Sequence, residues 1–213
     1  MKERIDRTDA VLLIIDVQND FCPGGSLAVE YGDTIIPRIN SLMHRFPLVV
    51  ATKDWHPKGH ISFADTHPGS KPGETVTENG IEQQLWPVHC VQGTPGAELH
   101  PDLDRKPIHM VLHKGSSANL DSYSAFFEND HKTPTGLEGY LKGLGIAKVY
   151  IAGLAEDVCV RFSAEDSVGC GFETYVIADC TRGVDIPKGS AQTARRSMQG
   201  LNVGYIQSTD LKA

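Results

Sequence analysis

Six short apolar runs recur along the 213-residue chain, and they constrain its fold more than any other feature. Each run is continuous and rich in β-branched residues. This pattern is typical of strands that are buried on both faces, as in a parallel sheet covered by helices. The predicted strands span residues 10–15, 48–52, 109–113, 148–152, 173–178 and 202–207.

Helix-like segments lie between most of these strands. The predicted helices span residues 34–46, 136–144, 160–168 and 190–199. Gly145 follows the second of them, where a C-cap glycine is expected before the next strand. The alternation predicts an α/β doubly wound fold, with a mostly parallel, six-stranded sheet and helices on both of its faces (three layers, α/β/α).

One region interrupts the alternation. Residues 55–107 contain seven of the twelve prolines and no long periodic run. A loop-rich stretch of this length inside a compact domain is usually functional rather than a simple connector. Because no repeat, low-complexity tract or linker divides the chain, we expect a single domain over residues 1–213, with a functional loop-rich insert at about 55–107.

Charge and composition argue against several classes of partner. The formal net charge is −7 and no stretch concentrates Lys and Arg, so we expect neither nucleic acid nor a membrane as a partner. The apolar run at residues 11–15 is too short for a signal peptide, and no run approaches the roughly 20 residues of a membrane span. Five cysteines without tight disulfide spacing favour a cytoplasmic protein with reduced thiols.

Reactive side chains follow four of the predicted strands. Asp16 ends the first strand, Asp54 the second and Lys114 the third, and the fourth runs into a loop that reaches Cys159. Ligands of open parallel sheets bind at the carboxyl ends of the strands, so we expect these four residues to converge. One polar residue after an apolar run is ordinary, because the chain is leaving the core. Four residues with complementary chemistry favour a functional site.

Cys159 is the candidate nucleophile of that site. It lies at the start of a predicted helix, where free backbone N–H groups and the positive end of the helix dipole favour a thiolate and could hold an oxyanion. Asp16 could act as general base, and later as acid toward a departing amine. Lys114 could keep that carboxylate ionised and favour the thiolate. The ordinary alternatives are a buried thiol, a capping aspartate and a surface lysine.

Carboxylate and imidazole side chains predict a metal site. Asp54 and His56 lie two positions apart in an extended segment, so their side chains point the same way and can reach one ion. The spacing leaves open whether His60 or His89 supplies a third ligand. Two histidines and one carboxylate leave coordination positions free, as in catalytic metal sites, and they suit Zn, Fe or Mn.

Five segments together resemble the nicotinamidase branch of the isochorismatase-like cysteine hydrolases. They occur in that family's order: VLLIIDVQNDFCPGGSLAV, ATKDWHPKGHISFA, LWPVHCVQGTPGAELHP, HKG with DSYSAFF, and AGLAEDVCVRFSAEDS. The match extends from Val11 to about Tyr205. The D-x-Q-N-D-F and D-V-C-V motifs are weak alone, but in combination with D-W-H-P and W-P-x-H-C they are specific to this branch.

The resemblance implies a role for each candidate residue. Cys159 would be the nucleophile, Asp16 the general base and acid, and Lys114 their electrostatic partner. One divalent metal ion would be the cofactor. The ligands that the resemblance implies for it are Asp54, His56 and His89, with His60 a ligand in some relatives and only a neighbour in others.

The resemblance also implies a substrate, nicotinamide, which would be converted to nicotinate and ammonia; pyrazinamide would be a further substrate. Phe21 and Trp86 would stack on the two faces of the pyridine ring, with Tyr123 nearby. The family has a cis peptide before the oxyanion-hole residue, here Leu154–Ala155. The N–H groups of Ala155 and Cys159 would then bind the oxyanion. Relatives are often homo-oligomers.

Two alternatives stay open beside this interpretation. One is a related enzyme of the same superfamily, either a metal-independent one or an amidase that acts on a carbamoyl or ureido compound with the same Asp–Lys–Cys set. The other is a non-catalytic scaffold that senses metal or thiols. The chain departs from the family at Glu156, where many relatives carry Thr. A carboxylate there would disfavour a thiolate only if it faced the pocket.

Overall fold

The computed structural model describes residues 9–78 and 80–211. Its strands are β1 Ala10–Ile15, β2 Leu48–Asp54, β3 Thr75–Glu78, β4 Ile81–Gln84, β5 Met110–Lys114, β6 Lys148–Leu154, β7 Glu173–Arg182 and β8 Gly204–Ile206. Its α-helices are α1 Ile36–Met43, α2 Leu137–Gly143, α3 Arg161–Gly169 and α4 Ser190–Gly200. All six predicted strands and all four predicted helices are present within this set.

Six of the strands form one parallel sheet in the order β5-β2-β1-β6-β7-β8. The first strand, β1, therefore lies in the middle, with β2 on one side and β6 on the other. The chain winds outward in opposite directions from this point. A crevice opens at the carboxyl ends of β1 and β6, which is where doubly wound sheets bind their ligands.

Both faces of the sheet are covered. Leu12 of β1 belongs to a core cluster that includes Ile39 of α1. Its neighbour Leu13 points to the opposite face, where the cluster includes Leu141 of α2 and Met198 of α4. All six side chains of β1 are fully buried, because side chains alternate across a strand and helices cover both faces. The predicted three-layer α/β fold is confirmed.

The element boundaries differ from the prediction in places. The segment predicted as the first helix begins with a 3₁₀ turn, Gly32–Ile35, and α1 ends at Met43, three residues before the predicted end. The insert at 55–107 also contains an unpredicted antiparallel hairpin, β3–β4. Its strands are half exposed, so they lack the continuous apolar runs of the main sheet. The dipeptide Asn79-Gly80 between them in the sequence is a strong hairpin signal.

Within residues 9–78 and 80–211, none of the helices combines the length and the apolar character needed to cross a lipid bilayer.

Candidate active site

The ends of three strands bring Asp16, Lys114 and Cys159 together, and we call this group the strand-end cluster. Asp16 follows β1, Lys114 ends β5, and Cys159 lies in a turn after β6. The Lys114 Nζ lies 2.9 Å from Asp16 Oδ2 and 3.6 Å from Cys159 Sγ. All three side chains are buried. The convergence expected from the strand ends is therefore present.

Asp16 is held by its backbone and by the neighbouring strand. Its φ of +47° lies in the left-handed region, where the chain turns away from the sheet as β1 ends. The Thr52 hydroxyl of β2 donates to Asp16 Oδ1 at 2.6 Å and accepts the Asp16 N–H at 3.1 Å. The carboxylate therefore has one fixed oxygen, and its other oxygen faces Lys114.

Burial dominates the electrostatics of the strand-end cluster. It raises the pKa of Asp16, and the nearby Lys114 ammonium only partly offsets this. Burial also raises the pKa of the Cys159 thiol well above its usual value, again against the influence of Lys114. Lys114 thus acts in the direction expected from the sequence but does not produce a resting thiolate. A protonated thiol beside a carboxylate of raised proton affinity is suited to proton transfer during attack.

A single wide turn carries Cys159 from the sheet into helix α3. Residues Glu156–Val160 form a π-helical turn, and the N–H groups of Val158 and Val160 both donate to the Ala155 carbonyl at 3.1 Å. The peptide bond Leu154–Ala155 is cis, as the family resemblance implied. The nucleophile candidate thus lies at the start of a helix, as the sequence predicted.

Asp54, His56 and His89 form a second group, which we call the carboxylate–imidazole cluster. The Nε2 atoms of His56 and His89 lie 3.5 Å and 3.7 Å from Asp54 Oδ2. The three donor atoms are close enough to one another to share one ion. The structure thus places His89, whose role was open on spacing alone, beside the predicted pair.

The hydrogen bonds of the two imidazoles fit a metal ion. His56 Nδ1 lies 2.9 Å from the Gly115 carbonyl oxygen, and His89 Nδ1 lies 2.7 Å from that of Pro87. A carbonyl accepts only from an Nδ1–H, so each ring carries a proton on Nδ1, and Nε2, which faces Asp54, is the nitrogen that could bind an ion. Two nitrogen donors and one carboxylate oxygen suit a divalent ion such as Zn, Fe or Mn.

Asp54 connects the two clusters. Its Oδ2 faces the imidazoles, and its Oδ1 forms a close ion pair with Lys114. Burial alone would raise the pKa of this carboxyl group, but Lys114 and His56 outweigh burial and hold it well below its usual value. Asp54 is therefore ionised and available as a ligand at neutral pH.

His60 lies beside the carboxylate–imidazole cluster rather than in it. Its ring stacks on that of His56 with centroids 4.1 Å apart, and its Nδ1 lies 2.8 Å from the Ser62 hydroxyl oxygen. Burial, together with His56, lowers its pKa to about 4, so the ring is neutral at pH 7. It forms a separate group with His56 and Asp121.

A cavity borders both clusters, through Cys159 of the first and all three residues of the second. Its wall contains all four residues that the sequence singled out for substrate binding, namely Phe21, Trp86, Tyr123 and Ala155. The Trp86 Nε1–H donates to the Tyr123 hydroxyl at 3.1 Å, which fixes both rings. Leu27, Val29, Val158 and Val184 make most of the remaining wall apolar.

Asp121 is a cavity residue that the sequence analysis missed. It is buried, its Oδ1 accepts the Ser122 N–H, and its Oδ2 accepts a hydrogen bond from Gln83 of the hairpin at 2.9 Å. It lies in an irregular segment after β5, where no periodic pattern indicates which side chains face inward. Its place in the DSYSAFF motif was the only available signal.

Glu156 faces away from the cavity. Its carboxylate is buried and accepts hydrogen bonds from Arg195 Nε at 2.7 Å and Nη2 at 2.8 Å. Tyr205 donates a weaker one at 3.3 Å. Because Arg195 pairs with this charge on the far side of the turn, the departure from the family pattern leaves the cavity unchanged.

Comparisons with known proteins agree with this geometry. Residues 10–210 match the Isochorismatase domain. A nicotinamidase of Acinetobacter baylyi is 48% identical over 203 residues, which are 95% of this chain and 94% of that protein. The solved structure of an Acinetobacter baumannii nicotinamidase and pyrazinamidase has a TM-score of 0.94 and 51% identity, covering 96% of this chain and 99% of the other. The Pyrococcus horikoshii pyrazinamidase in complex with zinc has a TM-score of 0.77 and 34% identity, covering 93% and 99%.

Proposed function

The chain belongs to the isochorismatase family, and on that basis we propose that it is an amidohydrolase that converts nicotinamide to nicotinate and ammonia. One observation carries the proposal. The Lys114 ammonium lies within 3.6 Å of both the Asp16 carboxylate and the Cys159 sulfur, and Cys159 lines a cavity that the carboxylate–imidazole cluster also borders. The nicotinamidases of Acinetobacter, similar along nearly the whole chain, support the choice of substrate. The five free thiols agree with a reducing, cytoplasmic setting.

The cavity wall positions the substrate. Phe21 and Trp86 supply aromatic surfaces for the pyridine ring, and Tyr123 holds the indole in place. Asp54, His56 and His89 would hold a divalent ion, which would supply a Lewis-acidic contact for the ring nitrogen when bound. The zinc complex of the Pyrococcus relative supports such an ion. His60 stays outside this ligand set.

Asp16 and Cys159 carry out the proton and acyl transfers. Asp16 takes the thiol proton, and the sulfur forms a bond to the carboxamide carbon. Backbone N–H groups of Ala155 and Cys159 hold the resulting oxyanion. The C–N bond breaks as Asp16 returns the proton to nitrogen, which releases ammonia and leaves a thioester. Asp16 then takes a proton from water, whose oxygen adds to the thioester carbon. Cleavage of the C–S bond releases the acid, which loses its proton to solvent as nicotinate, and Asp16 returns its own proton to the Cys159 sulfur.

Lys114 keeps the charges of this sequence balanced. Its ammonium contacts both carboxylates and the sulfur, so it stays close to whichever group is negative at each step. Burial disfavours its charge, but Asp16 and Asp54 raise its pKa well above the usual value, so it remains protonated. Asp16 can therefore gain and lose a proton without leaving an unpaired charge in the core.

An ammonia-release assay on nicotinamide, with elemental analysis of the same preparation, tests the proposal. We expect turnover and close to one divalent ion per chain. Release of ammonia from a ureido compound, but not from nicotinamide, would indicate the related amidase. Bound metal without ammonia release from any amide would indicate a sensor.

A further inference from the structure

The segment that follows β1 contacts the backbone at two proposed metal ligands, at Asp54 itself and at Cys90, the residue after His89. Residues 16–20 (Asp-Val-Gln-Asn-Asp) supply the proposed base, Asp16, at their first position. Two other polar side chains of the segment, those of Gln18 and Asp20, point away from the cavity wall and toward the backbone of the proposed metal ligands. The mechanism above uses neither of them.

Gln18 pairs with the backbone of Asp54. Its side chain is fully buried, its Oε1 accepts the Asp54 N–H at 2.8 Å, and its Nε2 donates to the Asp54 carbonyl at 2.8 Å. The second Nε2 hydrogen serves the Ala97 carbonyl at 2.9 Å. On this side of β2 the amide takes the place of a neighbouring strand, because β1 has already ended at Ile15. The backbone from which the Asp54 carboxylate projects is thereby held on both sides.

Asp20 holds the turn that carries His89. Its Oδ2 accepts the N–H of Cys90 at 2.7 Å. Cys90 has a φ of +45°, and its carbonyl accepts the His56 N–H at 3.0 Å, so one turn connects two of the histidines. The fit is close, since a Cβ at Gly96 would lie 2.2 Å from Asp20 Oδ2.

We propose that Gln18 and Asp20 are positioning residues for the metal ion, with Gln18 fixing the Asp54 ligand and Asp20 fixing the His89 ligand. The proposal rests on the ligand set given under the proposed function, but not on the identity of the amide substrate. Partners that orient metal ligands change metal affinity by roughly 10- to 100-fold when they are lost. The base and the two anchors therefore share one five-residue segment.

Zinc affinity tests the proposal. Full-length wild type, Gln18→Met, Gln18→Glu and Asp20→Asn would be loaded with Zn²⁺ and titrated with a chromogenic chelator. We expect Gln18→Met, which keeps the side-chain length without the amide, to weaken Zn²⁺ binding by roughly 10- to 100-fold. Gln18→Glu should act in the same direction, because one carboxylate oxygen would then face two carbonyls. Asp20→Asn should cost less, since a neutral acceptor remains.

The matched control is Gln92→Met. Gln92 also bonds a carbonyl in this region, that of Trp55 at 2.8 Å, but it does so from the exposed surface and with one bond. It should bind Zn²⁺ within about threefold of wild type. Melting temperatures of all variants separate positioning from general stability. A lower melting temperature with wild-type Zn²⁺ affinity in the folded Gln18 and Asp20 variants would overturn the proposal.

Nicotinamide turnover by the same wild-type preparation keeps the two proposals distinct. Weakened zinc binding in the Gln18 variants, with no turnover by wild type, would support the positioning role and refute the proposed substrate. Normal wild-type turnover with unchanged zinc binding in every variant would leave the function standing and overturn the inference. If Gln18→Met does not fold, Gln18→Glu and Asp20→Asn decide the result.

Discussion

The two clusters of the site are built in different ways. The strand-end cluster projects from strand ends or the turn after one, so the sheet itself sets the positions of Asp16, Lys114 and Cys159. The imidazoles of the carboxylate–imidazole cluster come from an irregular insert and depend on backbone carbonyls for their orientation. Contacts between neighbouring strands hold the strand-end cluster, as Thr52 holds Asp16, whereas the histidines are oriented by backbone carbonyls outside the strands. An ion pair between Asp54 and Lys114 joins the two clusters, and Asp54 also faces both imidazoles.

The largest expected effect separates the two clusters. Cys159→Ala should lower nicotinamide turnover by roughly 10⁴-fold or more, because Cys159 is the only thiol among the described residues that line the cavity. Its metal content should stay at the wild-type level, because Cys159 is not one of the proposed ligands. Steady-state ammonia release and elemental analysis on one preparation check both statements. Cys170→Ala, which removes a half-buried thiol at the end of α3, is the matched control. Substantial residual turnover in Cys159→Ala would rule out the covalent mechanism.

The complementary variant breaks the other cluster. His56→Ala should release the ion, and its loss of activity should exceed the roughly 10- to 100-fold cost of losing an outer-shell partner. The contacts among Asp16, Lys114 and Cys159 do not involve His56, so they should persist. His100→Ala, at a histidine outside the cavity, is the control. Unchanged metal stoichiometry in His56→Ala would mean that the ligand set is wrong.

The same difference explains what could be predicted from the sequence. Strand ends are recognisable because the apolar run stops, so Asp16, Asp54 and Lys114 could be placed at one edge of the sheet before their contacts were known. The insert at 55–107 has no continuous apolar run whose end would mark a position in the sheet. His89 was therefore open on spacing alone, and only the family resemblance favoured it over His60.

Hydrogen-bond partners were the least predictable part of the site. The backbone carbonyls of Pro87 and Gly115 orient the imidazoles. Every residue has such a carbonyl, so no sequence pattern marks these two. Gln18 stands in a family motif, but its contact with Asp54 is visible only in three dimensions. The β3–β4 hairpin was missed because its strands are half exposed and carry no continuous apolar run.

A comparison of two substrates tests the contribution of the carboxylate–imidazole cluster while the strand-end cluster stays unchanged. Benzamide shares the carboxamide and nearly the same ring shape with nicotinamide, so its contacts with Cys159, Phe21 and Trp86 should hardly change. It lacks the ring nitrogen that would meet the ion. We expect its kcat/KM to be lower by on the order of 10²-fold, about 3 kcal/mol, since water can refill the vacated position and limit the loss. Steady-state kinetics of both amides on one metal-replete preparation measure this. Values of kcat/KM for the two amides within about threefold of each other would mean that the ion has no role in substrate binding.

The smallest expected effect on activity concerns Glu156, a buried carboxylate after β6 that belongs to neither cluster. Since Arg195 pairs with it on the side away from the cavity, Glu156→Gln and Arg195→Gln should both keep kcat and KM within about threefold of wild type. Their stabilities should differ. Arg195→Gln leaves a buried carboxylate with only the weak bond from Tyr205, whereas Glu156→Gln leaves a half-exposed guanidinium that water can solvate.

The asymmetry gives this last prediction its sign. Arg195→Gln should lower the free energy of unfolding by about 1–3 kcal/mol, the usual penalty of an unsatisfied buried group. The loss is no larger because the guanidinium is half exposed, so that water screens part of its attraction to Glu156. For a chain of this length that is a fall of roughly 2–4 °C in Tm per kcal/mol. Lys142→Gln, which removes an exposed pair with Glu138, should leave the melting temperature close to that of wild type. Thermal unfolding of the three variants decides the order. The predicted order would be wrong if Glu156→Gln were the more destabilised variant. Loss of activity in either variant while it remains folded would mean that Glu156 acts on the nucleophile, Cys159, and is not separate from the strand-end cluster.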